Sequence, residues 1–535
     1  MSSRVSEGST FTVMLTLHLR ARRRMTQHET NAGEGELERV QSLVPGLDTV
    51  LCGGFLRGGL YMIQGLPGTG KTILANQIIY RQAGKGSRSL FITVLGESHG
   101  RMMVHLGTMR FFNESFIPEQ VAYISAYQAL EDDGLKGMVT LIRREVQARG
   151  ATLLVLDGMS AVEAKAGTGF EMKRFTYELQ TLTSATDCTM FLLTATSGAM
   201  SAPEHTMVDG LIELRQRPYG MRNERRLLVH KCRGSGYLEG EHAFRITREG
   251  LTIFPRIEAL LATPTSHTPP PRARASSGVV SLDAMLGGGI PTATVTALVG
   301  PSGAGKTTLG LQFLSGSSGS EPGLLLGCYE PPERLRLKAV TMGFDLAAAE
   351  QRGEVELLWH PVGEQILDEL AHRLLNAVRQ RGVKRLVIDG LSGFQQAALE
   401  PERIVRFWSA LSNELRAQGV TTLHTLELQE LAGPDVRVPG SGIASLAEVM
   451  VLVRYVELRS RLYRLVSLIK VREGAFDPTI REFAITNTGI VVGNPFEGVE
   501  AVLSGMAREA VRSAAAAPSE NSNGGSPGDG TLQSG

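Results

Sequence analysis

The chain has 535 residues, 42% of them hydrophobic and 20% charged, with a formal net charge of +1. That length suits two or three domains, each able to bury its own core, and the balanced charge makes no demand for nucleic acid or an anionic membrane as partner. No run of 18 uncharged apolar residues is present, so no membrane span is predicted, and the four cysteines (Cys52, Cys188, Cys232, Cys328) form no C-x-x-C pair, which argues against a zinc motif or disulfide scaffold and for a reducing, cytoplasmic interior.

Residues 1–40 read as a poorly ordered leader. Within it, residues 11–24 place apolar groups before an arginine run, the reverse of a secretory signal. The stretch is unstructured leader, a targeting sequence, or sequence upstream of a later start such as Met25. A first module spans residues 41–258. Tyr61–Gln64 reads as a strand, residues 71–82 as a helix behind it, and Leu90–Val94 and Leu153–Leu156 as further buried strands. Residues 259–277 form a linker rich in Pro, Ser and Arg. The second module, residues 278–492, repeats the pattern with strands at Val295–Val299, Leu324–Leu326 and Leu386–Ile388 and a helix at 306–315. Loosely periodic Val499, Val502, Leu503, Met506 and Val511 suggest one short helix within 493–515, and the tail beyond about 516 lacks bulky apolar groups and reads as disordered. Strands followed by helices predict an α/β fold, two tandem domains with mostly parallel central sheets flanked by helices.

Each module carries a phosphate-loop motif, G-x-x-x-x-G-K-[ST]. The first is Gly65, Leu66, Pro67, Gly68, Thr69, Gly70, Lys71, Thr72, and the second is Gly300, Pro301, Ser302, Gly303, Ala304, Gly305, Lys306, Thr307. Such loops wrap backbone N–H groups around phosphate at a helix N-terminus, with the lysine on the outer phosphates and the threonine hydroxyl offered to Mg²⁺. Asp157 and Asp389 each end an apolar strand and are followed by glycine, where a carboxylate holds a Mg²⁺-bound water; a turn or cap aspartate is the plain alternative. Glu97 and Glu330 follow the next strand in each module and are candidates to orient or deprotonate water, or else surface glutamates. Lys231 with Arg233, and Lys470 with Arg472, are two Lys-x-Arg pairs near the module ends. They are either surface charge or cations projected across a subunit boundary toward a developing negative charge.

In this order, and twice, these residues resemble the KaiC family of circadian clock ATPases, within the RecA/RadA-like superfamily. The likeness covers about residues 41–492. It rests on Pro45-Gly46-Leu47-Asp48, both phosphate loops, the Glu-Ser and Glu-Pro turns, both Asp-Gly-x-Ser segments, both Lys-x-Arg endings and Ile480-Arg481-Glu482-Phe483. The resemblance implies two RecA-like P-loop NTPase domains, a homo-hexameric ring with two tiers of ATP and Mg²⁺ sites between subunits, slow hydrolysis, and Lys231, Arg233, Lys470 and Arg472 reaching the neighbour's nucleotide. It also implies self-phosphorylation in the second tier. The family's Ser-Thr acceptor pair falls here at Ala444-Ser445, leaving Ser445, with Ser441 nearby, as candidate phosphosites. The family's paired glutamates are reduced to one, because Gly96 and Tyr329 stand where the first would be.

The leading expectation is therefore a KaiC-like ATPase, with autokinase activity left open, whose nucleotide state controls binding of a signalling protein partner. Two other readings stand beside it. One is a RecA-like DNA-dependent motor, for which the basic stretch 215–226 with Tyr219 would be the nucleic-acid surface, or else a solvated hairpin. The other is a nucleotide-switched scaffold with little turnover.

Overall fold

The computed structural model describes residues 37–94, 99–195, 203–219, 221–263, 273–361, 363, 365–428, 442–458, 460–472, 474–496, 499–500 and 508–509. Two nine-stranded sheets dominate it. In the first module the strands are β1 (Leu60–Gln64), β2 (Ser89–Thr93), β3 (Val121–Ser125), β4 (Leu153–Asp157), β5 (Thr189–Thr194), β6 (Gly210–Tyr219), β7 (Arg222–Cys232), β8 (Glu241–Thr247) and β9 (Gly250–Phe254). Their spatial order is β3-β2-β4-β5-β1-β6-β7-β8-β9. The first six pair in parallel and the last three continue the sheet antiparallel.

The second module repeats this with β10 (Val295–Gly300), β11 (Gly323–Gly327), β12 (Val355–Trp359), β13 (Arg385–Asp389), β14 (Thr421–Glu427), β15 (Val449–Leu458), β16 (Arg461–Val471), β17 (Arg481–Thr486) and β18 (Gly489–Pro495). The order is β12-β11-β13-β14-β10-β15-β16-β17-β18. The two sheets are thus the same topology written twice, as the sequence repeat predicts.

The parallel strands are apolar on both faces because helices cover both. In β1, Tyr61 and Ile63 join one core with Leu74, Ala75 and Ile78 of helix α1 (Lys71–Ala83). Leu60 and Met62 join the opposite core with Met138 and Ile142 of α2 (Tyr127–Arg149) and Phe175 and Leu179 of α3 (Gly169–Thr186). In the second module α4 (Lys306–Leu314) and α5 (Pro332–Val340) lie on one side of the sheet. On the other lie α6 (Leu367–Arg381) and α7 (Arg403–Ala417). Ile404, Phe407, Trp408, Leu411 and Leu415 recur along α7 at helical spacing and are buried, which is why that segment winds as a helix and docks by that face.

The structure extends both modules beyond the boundaries read from the sequence. Arg39–Val40 pairs with Phe55–Leu56, and Arg274–Ala275 pairs with Ile290–Pro291, so the ends of the expected leader and linker are tied into sheets. Of the short helix expected within 493–515, only residues 493–496, 499–500 and 508–509 are described, and none of them is helical. Residues 499–500 and 508–509 instead form a small antiparallel ladder, and two paired strands so close in sequence are incompatible with one helix through both. The apolar spacing there was too sparse to commit the chain to a helix. The tail beyond 509 lies outside the described residues. No helix among the described residues is long and apolar enough to cross a membrane.

The two modules meet across a polar joint. Just past β9, a turn of helix (Ile257–Leu260) inserts Ile257 and Leu261 into the core of the second module. Beside it, Arg403 on α7 holds both Glu258, at 2.5 and 2.7 Å, and Asp368, at 2.6 Å, and all three are largely buried. Asp368 also accepts the Ile257 backbone N–H at 3.1 Å. Removing one member of such a cluster strands the remaining buried charges. Arg403→Ala is expected to destabilise the joint by about 3–5 kcal/mol, read as a lowered denaturation midpoint with the far-UV spectrum of the folded state unchanged.

Candidate functional site

Both phosphate loops connect a fully buried strand to a helix, β1 to α1 and β10 to α4. Their glycines are held in matching ways. Gly70 and Gly305 cap the two helices with φ 104° each, a left-handed conformation that favours glycine. At Gly65 a Cβ would sit 2.3 Å from the Leu214 carbonyl oxygen, and at Gly300 it would sit 2.4 Å from that of Val453. No side chain fits at either position, so the motif's first glycine is dictated by the neighbouring strand. Thr69 donates to the Leu66 carbonyl at 2.8 Å, and the Ala304 N–H donates to that of Pro301 at 3.3 Å, which closes each loop on itself. Leu66 is exposed at the rim, and Gly68 has nothing within 4 Å of where a Cβ would lie, leaving the mouth of the first loop open.

Lys71 donates to the Gly65 and Leu66 carbonyls at 2.6 and 3.1 Å, and Lys306 to those of Gly300 and Pro301 at 2.8 and 2.7 Å. Each ammonium therefore hangs over its own loop. Burial pushes both lysines below their ordinary pKa, opposed by Asp157 at the first site and by Glu427 and Asp389 at the second. Thr72 donates to Asp157 at 3.1 Å. At the second site Thr307 is bonded to Asp389, whose other partner, Thr425, donates at 2.8 Å. Burial raises the Asp389 pKa against these hydroxyls. A hydroxyl and a carboxylate on adjacent elements beside an open backbone cradle is a donor set of hard oxygens that fits Mg²⁺. The predicted grouping of loop, threonine and strand-end aspartate is thus found in both modules.

Glu330 lies between β11 and α5. Lys338, near the end of α5, donates to both of its carboxylate oxygens at 2.6 and 2.8 Å. The preceding Tyr329 packs its ring against Gly390 and shares a 2.7 Å hydrogen bond with Ser392. Glu97 lies outside the described residues, as does Ser441.

The Lys-x-Arg pairs stand well away from the loops of their own modules. On β7, Lys231 is opposite Leu211 of β6, which is opposite Met62 of β1, two strands away and short of the loop. On β16, Lys470 is opposite Met450 and hence Ala297 of β10, the same register. A bulge precedes each pair, leaving His230 and Ile469 without a partner residue across the strand. Bulges re-aim the side chains that follow, and here both cations of a pair converge on one turn. Lys231 donates to the His205 and Thr206 carbonyls at 3.3 and 3.1 Å, and Arg233 to Thr206 at 2.8 Å. Lys470 reaches the Ala444 and Ser445 carbonyls at 3.5 Å each, and Arg472 donates to Ser445 at 2.7 Å. Burial and the adjacent arginine lower the pKa of both lysines. The Ser445 hydroxyl itself donates to the Gly442 carbonyl at 2.6 Å.

Several residues around the second site escaped the sequence reading. Thr425 and Glu427 on β14, Lys338 on α5 and Tyr455 on β15 are brought to the loop by tertiary structure alone. The Tyr455 hydroxyl lies 3.4 Å from where a Gly303 Cβ would be, and the Arg464 guanidinium stacks over its ring. No motif spacing marks these positions. The signal that could have found them is the repeat itself, since the strand pairings set Glu427 level with Gly300, where the first module has Ala195 beside Gly65.

Curated relatives extend over nearly the whole chain. The circadian clock oscillator protein KaiC of Picosynechococcus sp. is 24% identical over 482 residues, covering 88% of this chain and 92% of its own. The proteins of that name from Rippkaea orientalis and Synechococcus elongatus are each 24% identical, over 482 and 500 residues, covering 88% and 90% of this chain and 91% and 94% of their own. The family model described as "ATPase: KaiC" matches residues 40–258 and, a second time, 275–497. Matched through both of its modules, the chain belongs to the KaiC family of ATPases.

Proposed function

We propose that this ATPase works as a homo-hexameric ring, with ATP and Mg²⁺ held at subunit boundaries in two tiers and hydrolysed slowly. The observation that carries the proposal is the register of the Lys-x-Arg pairs. Each lies two strands from its own loop and level with the middle of the loop-bearing strand, a register that favours a nucleotide other than that of its own module. Cations held in such matched positions in both modules are suited to a site completed by the next subunit. In this reading Lys71 and Lys306 bind the outer phosphates, and Thr72 with Asp157 and Thr307 with Asp389 hold the metal. Glu97 and Glu330 orient water, and Lys231, Arg233, Lys470 and Arg472 act on the neighbour's phosphates. At the oxygens of Thr72 with Asp157 and of Thr307 with Asp389, Mg²⁺ would supply positive charge to offset that of the phosphates.

Nucleotide-dependent changes in such a ring would suit a cytoplasmic signalling role, with a protein partner reading the nucleotide state. Autophosphorylation at Ser445 is a finer part of the same proposal. It is favoured by the bond between Arg472 and the Ser445 carbonyl, which sets that residue beside the cations meant for the neighbour's phosphate. A DNA motor is disfavoured because four of the five arginines of the basic hairpin are already engaged within the chain. Arg215 and Arg217 pair with Glu241, Arg226 pairs with Glu224, and Arg222 reaches the second module at the Gly363 and Gln396 carbonyls.

The test is the mass of the assembly with Mg-ATP, with ADP and without nucleotide, together with phosphate release and phosphopeptide mapping of the ATP-treated sample. A nucleotide-stabilised hexamer is expected, with release reduced at least tenfold at each site by Glu97→Gln and Glu330→Gln, in keeping with the share of rate that a positioned base supplies. A persistent monomer under saturating Mg-ATP would sink the ring.

A further inference from the structure

We propose that Lys338 is a latch on Glu330, holding the water-orienting carboxylate of the second site in a resting position. The inference rests on the reading of Glu330 as that carboxylate. It starts from the two hydrogen bonds of 2.6 and 2.8 Å by which one ammonium engages both oxygens of the glutamate. Charge-assisted bonds of this length are about twice as strong as neutral ones. To take up the proton of an attacking water, Glu330 has to give up at least one of them.

The surroundings restrict other ways out. Glu330 is followed by Pro331, which leads into α5 with Pro332 in its first turn, so the backbone entering the helix is stiff. The residue before it, Tyr329, is fixed by its ring against Gly390 and its hydroxyl on Ser392, with the Gln396 amide adding a 3.3 Å bond. The glutamate is therefore anchored on both sides, and the side chain free to change partner is the long, flexible Lys338. Glu330 and Lys338 both lie within electrostatic range of Asp389, the strand-end carboxylate read as the metal ligand. About a third of each side chain remains exposed, so the pair is open to solvent and can be broken without unfolding the helix. The last turn of the matching helix in the first module carries His105, eight residues beyond Glu97 as Lys338 is beyond Glu330, with a shorter side chain. The lysine at this position belongs to the second module alone, and the latch would slow that module's site.

The experiment uses the full-length chain with the first site silenced by Lys71→Ala, so that phosphate release reports the second site. In that background Lys338→Met is expected to raise release about tenfold, the equivalent of freeing one charge-assisted hydrogen bond. Lys338→Gln is a second route to the same loss of charge should the methionine variant fold poorly. Lys338→Arg keeps the charge and is expected to give no gain. Adding Glu330→Gln to Lys338→Met should abolish the gain, a non-additivity that a merely structural lysine would not produce. Salt gives an independent readout. Screening of a partly exposed pair should raise the rate of the Lys338 parent and leave that of Lys338→Met flat. Release that is unchanged or lowered in both neutral Lys338 variants, while Glu330→Gln still lowers it, overturns the latch and leaves the base in place. Release unaffected by Glu330→Gln overturns the base itself and the latch with it.

Discussion

Lys306→Ala is expected to leave the chain binding one nucleotide where the parent binds two, and Lys71→Ala to do the same at the other site. The reason is visible in the loops. Each ammonium is half-buried and suspended over its loop by two backbone carbonyls, so it is positioned by the loop itself. A charge-assisted hydrogen bond to an outer phosphate contributes about 1.5–3 kcal/mol, and the ammonium has three donors to offer. Losing it should weaken binding at that site by at least a hundredfold, about 3 kcal/mol. Alanine also leaves the loop carbonyls without their donor, which adds to the loss. Calorimetric titration with Mg-ATP reads both stoichiometry and affinity. Two full sites of parental affinity in either variant would refute the assignment of that loop, and the double variant should bind no nucleotide in the same range.

Much of this arrangement could be read from the sequence because it is set by local rules. The strand–loop–helix unit is fixed by consecutive residues, by glycines that no Cβ can replace and by apolar runs too uniform for a one-sided sheet. Strand ends at Gln64, Asp157 and Asp389 fell where the change from apolar to polar residues put them. What could not be read depends on which strands are neighbours. Thr425 lies on Asp389 because β14 is beside β13, and Lys338 finds Glu330 because α5 folds back on the turn that begins it. The bulge ahead of each Lys-x-Arg pair is likewise a property of strand pairing, invisible to a count of alternating residues. Within 493–515, where loose periodicity suggested one short helix, the described residues 499–500 and 508–509 pair as a ladder, a contact that no local pattern announces.

A subunit exchange experiment should separate cations that act across a boundary from cations that act at home. In a background with the first site silenced by Arg233→Ala, which keeps the first loop and so a nucleotide to stabilise the ring, Arg472→Ala keeps the second loop and loses the arginine, while Lys306→Ala keeps the arginine and loses the second loop. An arginine supplied to a phosphoryl-transfer site is worth 10³-fold or more in rate. Each variant alone should therefore release phosphate at a rate lower by a factor on the order of a thousand. Mixed in equal amounts and reassembled, the two chains meet in all combinations around the ring. At one boundary in four, an intact loop faces an intact arginine. Recovery to about a quarter of the parental rate is expected for a head-to-tail ring with random mixing. Arginines acting on their own module would give no recovery at all, since no chain in the mixture carries both groups. The structure gives a reason to expect the former. Arg472 is tied to the Ser445 carbonyl at the side of the sheet remote from its own loop, and Arg233 is tied in the same way to Thr206. Mixtures that reassemble into hexamers yet remain inactive would refute the placement of these arginines at the neighbour's phosphate.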